Sequence, residues 1–242
     1  MGRLIEQIAR AKGHEIVCII DKDDADRFAS ENFMKADVAI EFSTPKTAVD
    51  NIRHCFAAGV PVVSGTTGWQ SGLPAIRALC ERGEGSLLYS SNFSIGVNVF
   101  EAISRRLALI MNRFGDYTPS MTEIHHIHKL DHPSGTAVTL AEDIVERVER
   151  LKGWEEPEEG KELSDGMLPV GHIRRGEEPG THVVSWDSPV DTITIEHKAK
   201  SREGFARGAV AAAEWLAARE RKDFYSITDM LGDLTGAPSL FE

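Results

Sequence analysis

The chain has 242 residues, and 27 Lys and Arg against 38 Asp and Glu give it a net charge of −11 at pH 7. With 41% hydrophobic and 27% charged residues, the composition is typical of a globular protein. The acidic balance argues against nucleic acid and membrane surfaces as partners, because both attract clustered Lys and Arg. No apolar run reaches the roughly 20 residues of a membrane span. The cysteines are odd in number and far apart, which favours a reducing cytoplasm over a disulfide framework: Cys18, Cys55 and Cys80.

The first half of the sequence alternates helical and strand patterns. Apolar spacing predicts helices at residues 2–12, 45–58 and 73–82. Thr44 is the expected N-cap of the second helix, with Pro45 at its first position. Short apolar runs predict strands at residues 15–21, 37–42, 60–64 and 86–89. This order predicts a Rossmann-like, doubly wound parallel sheet in an α/β fold.

The pattern changes after residue 93. Helices are predicted at residues 94–113, 136–152 and 204–219, and a solvated acidic loop at residues 154–165. Antiparallel strands are predicted at residues 182–186 and 192–198, while residues 122–126 lead into an unusual polar stretch that extends to Gly135. We therefore expect two domains. Residues 1–93 with 203–242 form the doubly wound domain, and residues 94–202 form an α+β domain.

Residues 123–137, EIHHIHKLDHPSGTA, hold four of the nine histidines within eight positions: His125, His126, His128 and His132. Gly135 and Thr136 begin a predicted helix, where free N–H groups and the positive end of the helix dipole bind a carboxylate or phosphate. Imidazoles and the Lys129 ammonium group beside such a cradle suit an anionic substrate and a proton donor.

Two other interpretations of these histidines stay open. They could be unrelated surface and core residues, or His126 and His128 could chelate zinc. However, the Lys129 ammonium group opposes a cation, and no Cys or HExxH motif supports a metal site. We therefore expect no metal.

Weaker signals point to a nucleotide. The turn in VVSGTTGW, residues 62–69, follows a predicted parallel strand, where open α/β sheets bind ligands. Asp21 closes the predicted strand at residues 15–21 and could accept a bond from a ribose hydroxyl or simply cap a helix. Polar residues 90–94 lie where the pattern changes, either as a domain joint or as cofactor contacts.

The stretch HHIHKLDHPSGTA, residues 125–137, resembles the signature of the dihydrodipicolinate reductase family. Three further stretches resemble family blocks in the same order: VVSGTTGW (62–69), SSNFSIGVNVF (90–100) and HKAKSREGFARGAVAAAEWL (197–216). The resemblance implies NAD(P)H-dependent reduction of 4-hydroxy-tetrahydrodipicolinate to tetrahydrodipicolinate in lysine and diaminopimelate biosynthesis. It further implies an N-terminal dinucleotide-binding domain, a C-terminal domain for substrate binding and oligomerisation, hinge closure and a cytoplasmic homotetramer.

The resemblance also implies roles for single residues. His125 matches the catalytic histidine, Lys129 the proton-donating lysine and His126 a substrate-binding histidine, and Gly135 with Thr136 matches the pair that binds a substrate carboxylate. The implied cofactor-binding residues are Asp21, Lys22, Gly65, Thr66, Thr67, Ser90, Ser91, Asn92 and Phe93. Asp21 favours the free ribose hydroxyl of NADH and repels the phosphate of NADPH, while Lys22 offsets that repulsion. We expect NADH to be used at least as well as NADPH.

One departure from the family concerns the start of the sequence. Family members begin with an apolar strand and a GxxGxMG loop, and Met1-Gly2 matches only the end of that loop. We therefore expect a doubly wound sheet without its first strand, in an N-terminally shortened form of a full enzyme. The alternative is an inactive or cofactor-deficient truncated homologue that acts at most as an anion-binding module. A metal-dependent hydrolase that uses the histidines is a second rival.

Overall fold

The computed structural model describes residues 1–220 and 222–241. It divides into two compact units, an N-terminal unit of Met1–Ile95 with Glu203–Glu242 and a central unit of Gly96–Arg202. None of the helices in the described part of the chain combines the length and the apolar character needed to cross a membrane.

The helices are α1 (Gly2–Ala11), α2 (Glu31–Met34), α3 (Ala48–Ala57), α4 (Leu73–Glu81), α5 (Ile95–Met111), α6 (Gly135–Arg147), α7 (Glu203–Ala217) and α8 (Ile227–Thr235). The strands are β1 (Ala39–Glu41), β2 (Val62–Ser64), β3 (Leu87–Tyr89), β4 (Thr118–His125), β5 (Gly153–Glu155), β6 (Met167–Arg174), β7 (Thr181–Asp187), β8 (Thr192–Lys198) and β9 (Phe224–Ser226). Helices and strands alternate from β1 to β5, and four consecutive strands, β5 to β8, follow α6. The sequence patterns did not predict α2, α8, β4, β6 and β9. The prediction of a loop over residues 154–165 is wrong at its start, because Trp154 and Glu155 of β5 pair with β6.

The N-terminal unit contains a parallel sheet in the order β1-β2-β3-β9. Helices α3 and α7 both contact β1 and β2, α3 also contacts α4, and α1 packs on α7. The apolar side chains of β2 and β3 are buried, as expected for parallel strands covered by helices. The register aligns Glu41, Ser64 and Tyr89, which are the last residues of β1, β2 and β3, at the carboxyl ends of these strands. The prediction of a Rossmann-like parallel sheet is confirmed.

The prediction of a strand at residues 15–21 is wrong, because the structure leaves this segment without regular secondary structure. A strand requires a neighbour for its backbone hydrogen bonds. No strand in the described part of the chain pairs with these residues. Cys18 and Ile20 nevertheless pack, partly buried, against the core of the unit, which accounts for their apolar character.

Two predicted helix boundaries also change. Helix α3 begins at Ala48 rather than Pro45, because the Thr44 carbonyl accepts the N–H groups of Thr47 and Ala48 in a turn, and Thr47 takes the N-cap position. Helix α6 ends at Arg147 instead of continuing to residue 152, because the backbone of Val148 is extended.

The central unit contains a mixed sheet in the order β5-β6-β4-β7-β8. Strand β4 pairs in parallel with β6 and antiparallel with β7. Helix α6 packs on β4, β5 and β6, and its Leu140 and Ile144 join Leu168 and Trp186 in the core. The two-residue period of β4 places Glu123 and His125 on the buried side of this strand.

Candidate functional site

The buried side of β4 ends in two polar residues, Glu123 and His125. Glu123 is fully buried, and its Oε2 lies 2.9 Å from Nδ1 of His125. A carboxylate at this distance favours the tautomer of His125 with its proton on Nδ1. The other ring nitrogen, Nε2, faces Gly180, where an added Cβ would lie only 2.9 Å away. Because Gly180 has no side chain, the His125 ring fits against its backbone.

Arg174 on β6 neutralises the other side of the same carboxylate. Its Nη2 donates to Glu123 Oε1 at 3.1 Å. Burial raises the pKa of Glu123, but hydrogen bonds from His125, Ser134 and Arg174 outweigh burial and bring the pKa down to about 2. Glu123 is therefore a buried anion at neutral pH.

His182 on β7 connects this carboxylate to helix α6. Its Nε2 lies 4.0 Å from Glu123 Oε2 and 3.1 Å from the hydroxyl of Ser134, and its ring meets His125 edge-on. Burial lowers the pKa of His182 to about 4, so the ring is neutral at pH 7. Ser134 is the N-cap of α6 and accepts the N–H of Ala137 at 3.2 Å. Contacts thus run continuously from His125 to the first turn of α6.

The first turn of α6 has two free backbone donors. The N–H groups of Gly135 and Thr136 have no acceptor among the described residues, and no acidic side chain lies in this turn. A Cβ added at Gly135 would meet nothing within 4 Å, so the approach to the helix terminus is open. The helix dipole adds a partial positive charge. This terminus suits the carboxylate that the sequence predicted.

Lys129 lies in the loop that joins β4 to α6. Its side chain is 19% exposed, and its Nζ donates to both carboxylate oxygens of Asp131, at 2.8 and 2.7 Å. The Lys129 hydrogen bond lowers the pKa of Asp131. Arg174 fixes the loop by donating to the carbonyl of Asp131 at 2.8 Å and to that of Lys129 at 3.3 Å. The ammonium group is thus held in place while its partner carboxylate stays largely exposed.

The four clustered histidines separate in space. His125 joins the buried network, whereas His128 lies on the surface with Nε2 3.0 Å from Glu177. His126 is half-buried, and its ring centroid lies 6.0 Å from that of His128. His132 pairs with Glu156, with its Nδ1 3.0 Å from Glu156 Oε1. Proximity in sequence therefore overstated their proximity in the fold.

Two groups of side chains have the donor atoms for a metal ion within 4.8 Å of one another. The first group consists of Glu123, His125 and His182. The Arg174 guanidinium already donates to the Glu123 carboxylate, and its positive charge opposes a second cation. The second group is His132, Glu156 and His172. His126 and His128, the predicted alternative zinc ligands, are in neither group among the described residues.

The N-terminal unit has its own buried carboxylate, Glu41 at the end of β1. It accepts hydrogen bonds from Ser64 Oγ at 2.6 Å and Thr66 Oγ1 at 3.0 Å, and from the Ser43 hydroxyl. The Ser43 N–H in turn donates to Thr66 Oγ1 at 2.8 Å. Neither Glu41 nor Glu123 is among the site residues predicted from the sequence. An acid that closes an apolar strand is the signal that could have found Glu41.

A cavity of about 300 Å³ opens at these strand ends, lined by Met1, Phe42, Ser43, Pro45, Gly65, Thr66 and Thr67. A Cβ at Gly65 would lie 2.3 Å from the Phe42 ring, so this wall requires glycine. Helix α1 begins at Gly2, next to Met1 in this lining, and has no acidic residue in its first turn. A glycine-containing turn and a helix N-terminus at the carboxyl ends of parallel strands fit a nicotinamide dinucleotide.

The other predicted cofactor residues follow β3 or lie on the surface. Ser90 Oγ donates to the Asn92 carbonyl at 2.8 Å, and the buried Phe93 ring lies 5.9 Å from Phe42 in the cavity wall. Ser91, Asp21 and Lys22 are exposed. No contact within the described ranges joins Asp21 or Lys22 to the residues that line the cavity, so their role stays a prediction.

Comparisons with known proteins agree with this arrangement. Residues 1–93 match the family model of the dihydrodipicolinate reductase N-terminus, and residues 96–231 match that of the C-terminus. A 4-hydroxy-tetrahydrodipicolinate reductase of Christiangramia forsetii is 44% identical, over 97% of this chain and 95% of the relative. That of Archaeoglobus fulgidus is 35% identical, over 96% and 95%.

Among solved structures, the dipicolinate-bound dihydrodipicolinate reductase from Paenisporosarcina sp. TG-14 has a TM-score of 0.75. The superposition covers 93% of this chain and 92% of that one, at 21% sequence identity. At this identity, the similarity establishes the shared fold.

Proposed function

The chain belongs to the dihydrodipicolinate reductase family, and from this premise we propose that it reduces 4-hydroxy-tetrahydrodipicolinate to tetrahydrodipicolinate in lysine and diaminopimelate biosynthesis. It is an oxidoreductase that uses a nicotinamide cofactor. The observation that carries the proposal is the buried chain of contacts from His125 through Glu123, His182 and Ser134 to α6. This chain links an imidazole to an anion-binding helix terminus. The match of both family models supports the reductase over a bare anion-binding module.

We assign cofactor binding to the N-terminal unit. Gly65, Thr66 and Thr67 line the cavity at the ends of β1 and β2, and the segment Ser90–Phe93 lies against the Phe42 wall. When bound, a reduced nicotinamide supplies the hydride that the reduction consumes. Both NADH and NADPH are accepted, and NADH serves at least as well because Asp21 bonds its ribose hydroxyl.

We assign substrate binding to the central unit. The N–H groups of Gly135 and Thr136 bind one carboxylate of the substrate, and His126 contacts the substrate beside them. The open first turn of α6 supports this assignment. The solved relative from Paenisporosarcina holds dipicolinate, a small dicarboxylate. Holding a carboxylate fixes which ring carbon is presented for reduction, which is a positioning effect.

Proton transfer falls to Lys129 and His125. The 4-hydroxyl group of the substrate leaves with a ring hydrogen as water. As the unsaturated ring that remains accepts a hydride, negative charge builds on it, and a positioned ammonium group stabilises this charge and donates a proton from Nζ. Arg174 holds the backbone of the Lys129 loop by bonding the Lys129 and Asp131 carbonyls. Glu123 lies against Nδ1 of His125, so Nε2, beside Gly180, is the ring nitrogen left for proton transfer. Glu123 is thus a positioning residue for His125.

We also propose that the protein is a cytoplasmic homotetramer that assembles through the central unit. Strand β8 lies at an edge of its sheet with Ile193 exposed, and an exposed edge strand can pair with another chain. Light scattering should give the mass of four chains. A monomeric mass at micromolar concentration would refute the tetramer without affecting the assigned reaction.

A coupled assay tests the proposed reaction. Dihydrodipicolinate synthase supplies the unstable substrate, and NADH oxidation is followed by absorbance. We expect oxidation that depends on both the synthase product and this protein. A folded protein that binds NADH but oxidises none in the presence of the synthase product would contradict the proposal.

A further inference from the structure

A second histidine network lies apart from Glu123. His132 belongs to the loop before α6, His172 to β6, and Glu156 follows β5. His132 Nδ1 lies 3.0 Å from both carboxylate oxygens of Glu156, and His172 Nδ1 lies 2.8 Å from its Oε1. Three segments that are distant in sequence thus bring three donor atoms to one point.

The two imidazoles also contact each other. Their ring centroids are 4.1 Å apart with an interplanar angle of 23°, so the rings stack and turn the same nitrogen toward the same carboxylate. The side chains are 49%, 27% and 35% exposed for His132, Glu156 and His172. An ion can therefore reach the donor atoms from solvent.

The donor set is that of a transition-metal site. Two imidazole nitrogens and a carboxylate oxygen are ligands that Zn²⁺ takes in proteins, with water in the fourth position. Ligand atoms about 2.0–2.1 Å from a tetrahedral ion lie about 3.3 Å from one another. The 2.8–3.0 Å separations between the nitrogens and the Glu156 oxygens are within a few tenths of an ångström of that value.

The surroundings of this group differ from those of Glu123. No Arg or Lys side chain in the described part of the chain makes an ion pair with Glu156, whereas Arg174 pairs with Glu123. A cavity of about 370 Å³ adjoins Glu156, lined by Trp154, Glu155, Glu156, Glu158, Lys161, Glu162 and Leu163. The excess of carboxylates over ammonium groups in this lining attracts cations.

We propose that His132, Glu156 and His172 bind one divalent transition-metal ion of the Zn²⁺ type. The metal replaces the protons that hold the imidazoles to the carboxylate. Because His132 is three residues from Lys129, the ion ties the loop between β4 and α6 to the β5–β6 side of the sheet. Its role is to fix this loop, and it takes no part in the assigned reaction.

Calorimetric titration of Zn²⁺ into the tag-free, EDTA-treated protein tests the site. We expect one ion per chain with a micromolar Kd, and His172→Ala and Glu156→Gln should each weaken binding by at least about tenfold. His128→Ala is the matched control, because it removes an exposed histidine that pairs with Glu177 and belongs to neither candidate metal group among the described residues. Its Kd should stay within about twofold.

Co²⁺ in place of Zn²⁺ supplies a second readout. We expect the visible absorption of a four-coordinate Co²⁺ site in wild type and in His128→Ala, and its loss in His172→Ala. Absence of stoichiometric binding, or equal weakening by His128→Ala and His172→Ala, would overturn the proposal. Both measurements are made without substrate, so their failure is distinct from failure of the assigned reaction.

Discussion

Within the residues that the structure describes, each unit buries one glutamate near the end of a strand, and the two carboxylates have different partners. Glu41 in the N-terminal unit accepts hydrogen bonds from the hydroxyls of Ser43, Ser64 and Thr66. Glu123 in the central unit contacts two imidazoles and a guanidinium group. Protein groups surround both carboxylates. Those around Glu41 are neutral hydroxyls, and those that contact Glu123 include imidazoles and a guanidinium group.

The difference indicates what each carboxylate does. The neutral hydroxyls around Glu41 order the turn at residues 65–67. They do not change protonation state near neutral pH. Imidazole and guanidinium groups, unlike hydroxyls, bring titratable protons or a positive charge to the carboxylate. The Glu123 network can therefore orient an imidazole whose protonation matters. We infer that Glu41 supports binding and Glu123 supports chemistry.

The largest expected effect is on turnover, and it concerns the proposed proton donor, Lys129. Lys129→Ala should lower kcat by about 10²–10⁴, the range for loss of a positioned proton donor, and leave the KM for NADH nearly unchanged. Steady-state kinetics with varied NADH measure both constants. Lys161→Ala is the control, because Lys161 is an exposed lysine paired with Glu158 in the same unit. Wild-type turnover in Lys129→Ala would refute the role of Lys129.

Glu123→Gln should lower kcat by roughly 10- to 100-fold, because the amide cannot hold His125 with its proton on Nδ1. It should also lower the free energy of unfolding by about 1–3 kcal/mol, since Arg174 loses a charged partner. Urea unfolding separates the two effects. A variant that is destabilised but keeps wild-type kcat and its pH profile would reduce Glu123 to a structural role.

The pH dependence of stability follows from the lowered pKa values. The pKa of Glu123 falls from its ordinary 4.5 to about 2 in the folded state, so its contribution is complete above pH 4.5 and is lost as the pH falls toward 2. The free-energy difference between wild type and Glu123→Gln should be constant from pH 7 to 4.5 and shrink below. A difference that grows on acidification would contradict this assignment.

His182 makes the free energy of unfolding depend on pH in a second, higher pH range. Its pKa falls from 6.5 to about 4 in the folded state, so between these values only the unfolded chain takes up the proton. Wild type should therefore already lose stability between pH 6.5 and 4. Urea unfolding of wild type over this range checks the expected decline.

Glu41→Gln should have a smaller effect of another kind. The amide keeps one acceptor but loses the charge, which weakens the hydroxyl network by about 0.5–1.5 kcal/mol. The Kd for NADH should rise by roughly 2- to 13-fold, while kcat at saturating NADH stays unchanged. Fluorescence titration of NADH measures the Kd. An unchanged Kd would show that the turn at residues 65–67 does not contact the cofactor.

Asp21 gives the smallest expected effect. Asp21→Ala should shift the ratio of kcat/KM for NADH over NADPH toward NADPH by several-fold, because a repulsion of the extra phosphate is removed. Kinetics with both cofactors give the ratio. A strong NADPH preference in wild type would mean that Asp21 is not at the ribose.

The sequence predicted the parallel sheet well because buried parallel strands are continuous apolar runs. It failed at residues 15–21, where the same pattern packs Cys18 and Ile20 without a strand partner. Strand β6 was missed because Pro169 and Gly171 interrupt its pattern.

The candidate site was predictable only where its residues are close in sequence. Lys129, Gly135 and Thr136 belong to one motif. The partners of Glu123, which are Arg174 and His182, lie on other strands some fifty residues away, and only the β4–β6 and β4–β7 pairing brings them together. For the same reason His125 and His132, neighbours in the motif, contribute to two separate networks.

The most direct test compares Glu41→Gln and Glu123→Gln in one series that measures the Kd for NADH and kcat at saturation. We expect a raised Kd for NADH with normal kcat for Glu41→Gln, and a normal Kd for NADH with lowered kcat for Glu123→Gln. The same defect in both variants, or the two defects exchanged, would contradict the division between a carboxylate that supports cofactor binding and one that positions His125.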